Sequence, residues 1–295
     1  MGATKIEWAT ASWNPVTGCT PVSAACDHCY AARMAKRLRG RYGYPADEPF
    51  RVTLHPERLE EPLHWKNPQR VFVVSMGDLF HDDVQRDDIL RVWMTMARCP
   101  QHTFLVLTKR AERMQRLLSE WWPLPNVLVG VTAENQAAAD ERIPLLLQTP
   151  AAKRFVSCEP LLGPIDVAPW LSRSSQAGPD GQFSDRLGHH GCLHWVIAGG
   201  ETGPGARPMH PDWARSLCDQ SQVAGVPFFF KSWGDWVSED QAHGLWPEKA
   251  SGDPKLNARQ VHAWPDGTAS IRHGKKAAGR LLDGCEWNEF PETKA

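Results

Sequence analysis

No run of apolar residues in this chain approaches the length needed to cross a bilayer, and its first residues, Met1 to Trp8, contain no apolar signal core. A soluble, cytoplasmic protein with no membrane partner is expected. There is no excess of charge of one sign either: 33 Lys and Arg stand against 34 Asp and Glu, a formal net charge of -1. That balance excludes a protein whose main business is to coat nucleic acid, while leaving room for a local basic patch. The dense cysteine framework of a small secreted domain is also missing, because five of the eight cysteines are scattered (Cys99, Cys158, Cys192, Cys218, Cys285). Reduced thiols are expected. With no tandem repeat and no low-complexity tract, 295 residues that are 42% hydrophobic point to one large domain.

What is present is one stretch, Gly18 to Tyr30, that packs Cys19, Cys26 and Cys29 into eleven residues directly after a candidate strand. A C-x6-C-x2-C loop can close three thiolates on one metal centre. With no fourth cysteine nearby, it can hold three irons of a cubane and leave the fourth open to chemistry. Two other readings stay open at this point. A zinc site wants four nitrogen or sulfur ligands, and beyond the cysteines the loop offers only His28, so zinc would need a distant donor. Alternatively the thiols are unligated, although a loop rich in Gly, Pro and Ser is no ordinary place for core residues.

Around the loop, short apolar runs alternate with helical periodicity. Strands are expected at 13–17, 51–54, 71–74, 104–107, 127–131, 154–157, 193–198 and 227–230. Helices are expected at 31–41, with Met34 and Leu38 on one face, and after Pro56, with Leu59 and Leu63 on one face. Asp87 or Asp88 should cap a helix carrying Ile89, Trp93, Met96 and Ala97. Further helices are expected through Met114, Leu117, Leu118 and Trp121, over 135–147, and from near His210. Such alternation implies an α/β fold on a parallel sheet covered on both faces, and this many units imply a parallel (β/α) barrel of TIM-like type with six to eight strands. The barrel is expected over 1–233, with an inserted loop at about 172–192. A C-terminal extension over 234–295 should pack on it and contain a turn near Trp264 to Thr268 between two short strands. Most of the 14 tryptophans should be core or cap residues; the sharper reading is an aromatic platform for a flat substrate.

In such a barrel the active site lies at the C-terminal ends of the strands, and here those ends are polar. They read Ser75-Met76-Gly77-Asp78, Thr108-Lys109-Arg110, Thr132-Ala133-Glu134-Asn135, Cys158-Glu159-Pro160, Gly199-Gly200-Glu201-Thr202-Gly203 and Lys231-Ser232-Trp233. A single acidic residue there could be a helix cap and nothing more. Four carboxylates (Asp78, Glu134, Glu159, Glu201) and two lysines (Lys109, Lys231) on the rim that carries the cysteine loop point instead to a ligand pocket. Gly199, Gly200 and Gly203 would let backbone approach a ligand closely.

The cysteine loop after the first strand of a (β/α) barrel resembles the radical S-adenosylmethionine superfamily, whose commonest loop is C-x3-C-x2-C. Ile6-Glu7-Trp8, Trp13-Asn14-Pro15-Val16-Thr17-Gly18-Cys19, Leu54-His55-Pro56-Glu57-Arg58-Leu59, Ser75-Met76-Gly77-Asp78-Leu79-Phe80, Ser157-Cys158-Glu159-Pro160-Leu161-Leu162-Gly163, Ala198-Gly199-Gly200-Glu201-Thr202-Gly203 and Gly279-Arg280-Leu281-Leu282-Asp283-Gly284 look like the three-cysteine-motif phage protein family. This resemblance covers nearly the whole chain. It implies a 4Fe-4S cluster on Cys19, Cys26 and Cys29, with S-adenosyl-L-methionine chelating the open iron, and a 5'-deoxyadenosyl radical that abstracts hydrogen. His28 matches the position where relatives place a ring near the adenine. Ser75, Gly77 and Asp78 fall near the stretch where relatives bind the methionine amine, one strand later than usual. Thr108, Lys109, Glu134, Gly199, Gly200 and Glu201 would complete the cofactor pocket, with Lys231 and Glu159 as catalytic groups.

The resemblance also bears on the substrate, since phage members occur beside systems that decorate thymine in viral DNA with amino-acid-derived groups. An enzyme of isomerase or transferase type acting on such a base in DNA, or on a modified nucleotide, is the leading expectation, with flavodoxin or ferredoxin as reductant. Arg33, Lys36, Arg37, Arg39 and Arg41, with no acidic residue among them, would contact phosphates; as a bare solvated helix face they would contact nothing. A small molecule, a peptide or tRNA is the alternative substrate. A non-catalytic iron-sulfur accessory protein is the alternative of another class.

Overall fold

The structure, a computed structural model, describes residues 2–4, 6–171, 192–242 and 261–292. In chain order its elements are β1 (Gly2–Ala3), β2 (Ala11–Trp13), β3 (Val16–Thr17), α1 (Tyr30–Arg37), β4 (Thr53–Leu54), β5 (Arg70–Val73), α2 (Arg86–Ala97), β6 (Thr103–Thr108), α3 (Ala111–Leu118), β7 (Val127–Thr132), α4 (Gln136–Gln148), β8 (Lys153–Cys158), α5 (Ala168–Leu171), β9 (Trp195–Ala198), α6 (Pro211–Ala224), β10 (Phe228–Phe230), β11 (Trp236–Ser238), β12 (Val261–Ala263), β13 (Ala269–Arg272) and α7 (Lys275–Ala278). The loop expected at 172–192 lies, except for its last residue, outside the described residues.

One sheet dominates, with strand order β1-β2-β5-β6-β7-β8-β9-β10; β1 is antiparallel to β2 and the other seven strands run parallel. The sheet curls into a half-barrel and does not close. Both edges carry further pairings. β1 covers the outer side of β2. Against β10, Asn288 bridges Phe229 and the Phe230 amide donates to the Trp287 carbonyl.

Four further expectations are corrected. The strand expected second in the barrel, β4, pairs antiparallel with β3 alone, Val16 opposite Leu54 and Thr17 opposite Thr53. No long helix follows it, because Pro56 and Pro62 each remove an amide donor and leave only 3-10 turns at Pro56–Arg58 and Glu61–His64. β5 is therefore the second parallel strand. α1 ends at Arg37 instead of 41, just before a tight turn in which Gly40, Tyr42 and Gly43 take positive φ. At α2 the cap is Gln85, and Asp87 and Asp88 sit in the first turn, where carboxylates favour the amide end of a helix.

Side chains alternate across the strands and divide the core in two. Phe72, Leu105, Leu128, Phe155, Trp195, Ile197 and Phe229 gather on the inner face of the curled sheet around Trp8, with Phe290 of the C-terminal tail. Val71, Val73, Phe104, Val106, Val127, Val129 and Val156 face the helices in the larger core. Gly130 is required on the inner face, since a Cβ there would lie 2.6 Å from the Phe155 ring. Trp8 and Trp195 are thus core residues of the half-barrel interior. β11, β13 and β12 form a separate antiparallel sheet, and the turn expected near Trp264 joins β12 to β13 with Gly267 at positive φ. Among the described residues no helix is long and apolar enough to cross a membrane.

Candidate active site at the strand ends

The cysteine loop leaves the first parallel strand through β3 and is anchored at three other strand ends. Gly18 forms a bridge with Gly77 beyond β5, and its amide donates to the Met76 carbonyl at 2.9 Å. That approach needs two glycines: a Cβ on Gly77 would lie 2.6 Å from the Gly18 carbonyl oxygen, and one on Gly18, at φ +91, would lie 2.3 Å from the Arg51 carbonyl oxygen. The Cys19 amide donates to the Phe50 carbonyl. Thr20 Oγ1 accepts from Arg110 Nη2, beyond β6, at 2.8 Å and lies 2.8 Å from His81 Nε2. His81 Nδ1 accepts from the Asp83 amide, so the neutral ring carries its proton on Nε2 and donates to Thr20. Arg207, beyond β9, donates to the Ala24 carbonyl and pairs with Asp27.

All three loop cysteines are partly exposed, while Cys99, Cys158 and Cys218 are buried and Cys285 is exposed elsewhere. As a free thiol Cys19 is pushed up to about 11, first by burial and then by the nearby Asp78 carboxylate, against the pull of Arg110. Metal binding there would have to release a proton. Three partly exposed soft donors within eleven residues, on a loop anchored at three strand ends, are the donor set that a cluster held at three corners would take. They fit one zinc ion less well. Tetrahedral Zn–S bonds of about 2.3 Å would hold the sulfurs about 3.8 Å apart, and the three thiols do not form a set of ligand atoms within 4.8 Å. Among the described residues His210, Asp212 and Asp266 do form such a set. Hydrogen bonds account for it: His210 Nδ1 accepts from the Asp212 amide as the cap of α6, and Nε2 meets Asp266 at 3.0 Å.

Of the polar strand-end residues, one group is engaged by the scaffold. Asp78 accepts from Thr108 Oγ1 at 2.8 Å, from the Phe80 amide at 2.9 Å and from the Lys109 amide at 3.3 Å. Ser75 donates to Asn14 Oδ1, which also accepts from the Met76 amide. Glu134 and Arg142 of α4 form a buried pair at 2.9 Å. Glu201 is paired with Arg207 through both carboxylate oxygens. Gly200 is packed so closely that a Cβ would lie 2.0 Å from the Trp233 carbonyl oxygen, and His28 lies against Gly205.

The other group faces the half-barrel mouth. Alternation from Phe155, Ile197 and Phe229 carries Glu159, Gly199 and Lys231 to the inner face, where Lys231 Nζ and Glu159 Oε1 form an ion pair. Gly199 leaves room beside it, since a Cβ would lie 3.2 Å from Lys231 Cβ and 3.5 Å from Glu159 Cγ. Burial opposes the Lys231 charge, but Glu159, with Glu7 beyond it, holds the ammonium above its ordinary value. Lys109 is half-buried and has no side-chain partner among the described residues.

Sequence reasoning missed Glu7 and Lys275, which pair at 2.6 Å across the mouth. Burial would raise the Glu7 carboxyl, but Lys275 and then Lys231 keep it below the usual range. It also missed Asn14, His81, Arg110 and Arg207 as anchors of the loop. No spacing could have found them, because their partners lie 61 to 183 residues away. Of the basic run, Arg33 donates to the Thr202 carbonyl, while Lys36, Arg37, Arg39 and Arg41 are exposed. No curated protein and no solved structure matches this chain. Residues 3–291 match the family described as protein of unknown function (DUF5131), and the chain belongs to that family.

Proposed function

We propose that the protein is a radical S-adenosylmethionine enzyme whose cluster is held by Cys19, Cys26 and Cys29 and whose substrate enters the half-barrel mouth. The observation that carries this reading is the position of the cysteine loop, after the first parallel strand and pinned over the ends of β5, β6 and β9. A second observation supports it. With β4 outside the sheet, Ser75-Met76-Gly77-Asp78 follows the second parallel strand, where the resemblance puts the stretch that binds the methionine amine. When bound, the cluster and S-adenosylmethionine would supply one-electron cleavage and hydrogen-atom abstraction.

The chain's own share is to hold and orient. Gly18 and Gly77 fix where the loop starts, and Thr20 is gripped by His81 and Arg110. The pairs Lys231–Glu159 and Lys275–Glu7 give the mouth fixed charges of both signs, suited to orienting a polar substrate through hydrogen bonds, and Lys109 adds an ammonium with no side-chain partner among the described residues. A modified nucleobase, in DNA or as a nucleotide, is the proposed substrate class, with flavodoxin or ferredoxin as reductant.

Anaerobic reconstitution tests the reading. Wild-type protein should bind about four irons per chain and, once reduced, convert S-adenosylmethionine to 5'-deoxyadenosine and methionine. Cys19→Ala, Cys26→Ala and Cys29→Ala should each abolish the brown absorbance, whereas Cys99→Ala and Cys285→Ala should keep it. Iron binding that depends equally on a scattered cysteine, or a loaded, reduced protein that leaves S-adenosylmethionine intact, would overturn it.

A further inference from the structure

We propose that the turn at 201–207, between β9 and α6, is a saddle that positions the cysteine loop, with Arg207 as its principal positioning residue. The inference rests on the reading of the three cysteines as cluster ligands and adds to it a part of the chain that nothing in the loop itself reveals. Glu201 is buried and fixes the Arg207 guanidinium: Nε donates to Oε2 at 2.9 Å, Nη2 to Oε1 at 2.7 Å, and the Arg207 amide to Oε2 at 2.8 Å. So oriented, Nη2 also donates to the Ala24 carbonyl at 2.8 Å, and Nη1 reaches Asp27 Oδ2 at 3.3 Å. Ala24 opens the 3-10 turn Ala24–Cys26, so the guanidinium grips the turn that presents Cys26.

Two more contacts bring the rest of the loop onto the same saddle. Arg33, whose amide donates to the Cys29 carbonyl, donates through Nη2 to the Thr202 carbonyl at 2.9 Å. Gly203 sits at φ +93 directly under that guanidinium, where a Cβ would lie 2.2 Å from Nη1. Gly205, at φ +79, underlies His28, where a Cβ would lie 2.6 Å from Cε1. The glycines of this turn thus make room for side chains of the cysteine loop. Behind the saddle, Arg272 of β13 donates to the Gly203 carbonyl at 2.7 Å and pairs with Asp235.

A fork clamped on a buried carboxylate can set a loop's position as a single ammonium cannot, and groups that orient ligands commonly govern metal retention. The full chain, reconstituted anaerobically as wild type, Arg207→Ala, Arg207→Gln and Arg207→Lys, tests this. Readouts are the rate of iron release to a chelator, the electron paramagnetic resonance spectrum of the reduced cluster, and hydrogen–deuterium exchange over 19–33. Arg207→Ala should release iron about 10- to 100-fold faster, alter the spectrum and speed exchange over 24–29, and Arg207→Lys should fall between it and wild type. Wild-type release and exchange in Arg207→Ala would overturn the saddle. If wild type itself bound no iron, the functional reading would fail separately and exchange alone would decide: faster in the variant supports the saddle, unchanged overturns it. Should Arg207→Ala not fold by circular dichroism, Arg207→Gln and Arg207→Lys decide on the same readouts.

Discussion

Two carboxylates at neighbouring strand ends do different work because of what faces them. Glu134 is buried against Arg142, and neither side chain is more than 4% exposed. Glu159 shares a partly open mouth with Lys231, each 19% exposed. Arg142→Met should leave the Glu134 carboxylate buried and alone, lowering stability in urea unfolding by about 3–5 kcal/mol while iron content per folded chain stays at the wild-type level. A histidine near the loop gives the molecule an acid limit. His55 is buried, with Nε2 2.8 Å from Thr17 Oγ1; burial first, and Arg58 second, hold it below its ordinary value against the pull of Glu57. The unfolded chain therefore binds the proton more readily. Its contribution to stability is complete above about pH 6.5 and is lost as pH falls through the lower folded value. Urea unfolding should show stability falling on the acid side of that point. His55→Gln should be less stable than wild type at about pH 7.5 and show a flatter acid fall.

At the scale of elements, the joint between β3 and the end of β5 is the critical one. Gly77→Ala would set a methyl 2.6 Å from the Gly18 carbonyl oxygen, against the Thr17-Gly18 backbone, with no flexible side chain to yield. The expected cost is about 1–3 kcal/mol, accompanied by faster iron release, measured by urea unfolding and chelator kinetics. The apolar runs of β5 to β10 were legible in the sequence because a strand covered on both faces is continuously apolar. The polar residues after them were legible for the same reason, as breaks in that pattern. What could not be read was pairing. Arg51 to Leu54 has strand composition, yet only contact with β3 decides that β4 stays outside the main sheet. In the same way Glu201 reads as a rim carboxylate until Arg207 is seen to occupy both of its oxygens. Trp8, Glu7 and Phe290 come from the two ends of the chain into one interior, a meeting that local periodicity does not encode.

For the whole molecule, the open half-barrel leaves a mouth, and a near-neutral chain carries its basic run on and just after the helix that follows the cysteine loop. Lys36, Arg37, Arg39 and Arg41 are exposed, and Tyr42 beside them is 74% exposed, while Arg33 is engaged by the Thr202 carbonyl. If the substrate is a base in DNA, no more than these four charges of the run can meet phosphates, and each phosphate contact adds about 0.9 to the slope of log affinity against log salt on duplex. Replacing all four by Ala should therefore lower that slope by about 3–4 at most, measured by fluorescence anisotropy on modified duplex. The base would also have to leave the stack to reach Glu159 and Lys231 inside the mouth. A free nucleoside needs neither the charges nor the flipping. Turnover on modified duplex should exceed turnover on the matching nucleoside and fall with salt. Equal turnover on both, with no salt effect and no change in the four-Ala variant, would remove the basic run from the mechanism and leave an enzyme of small molecules.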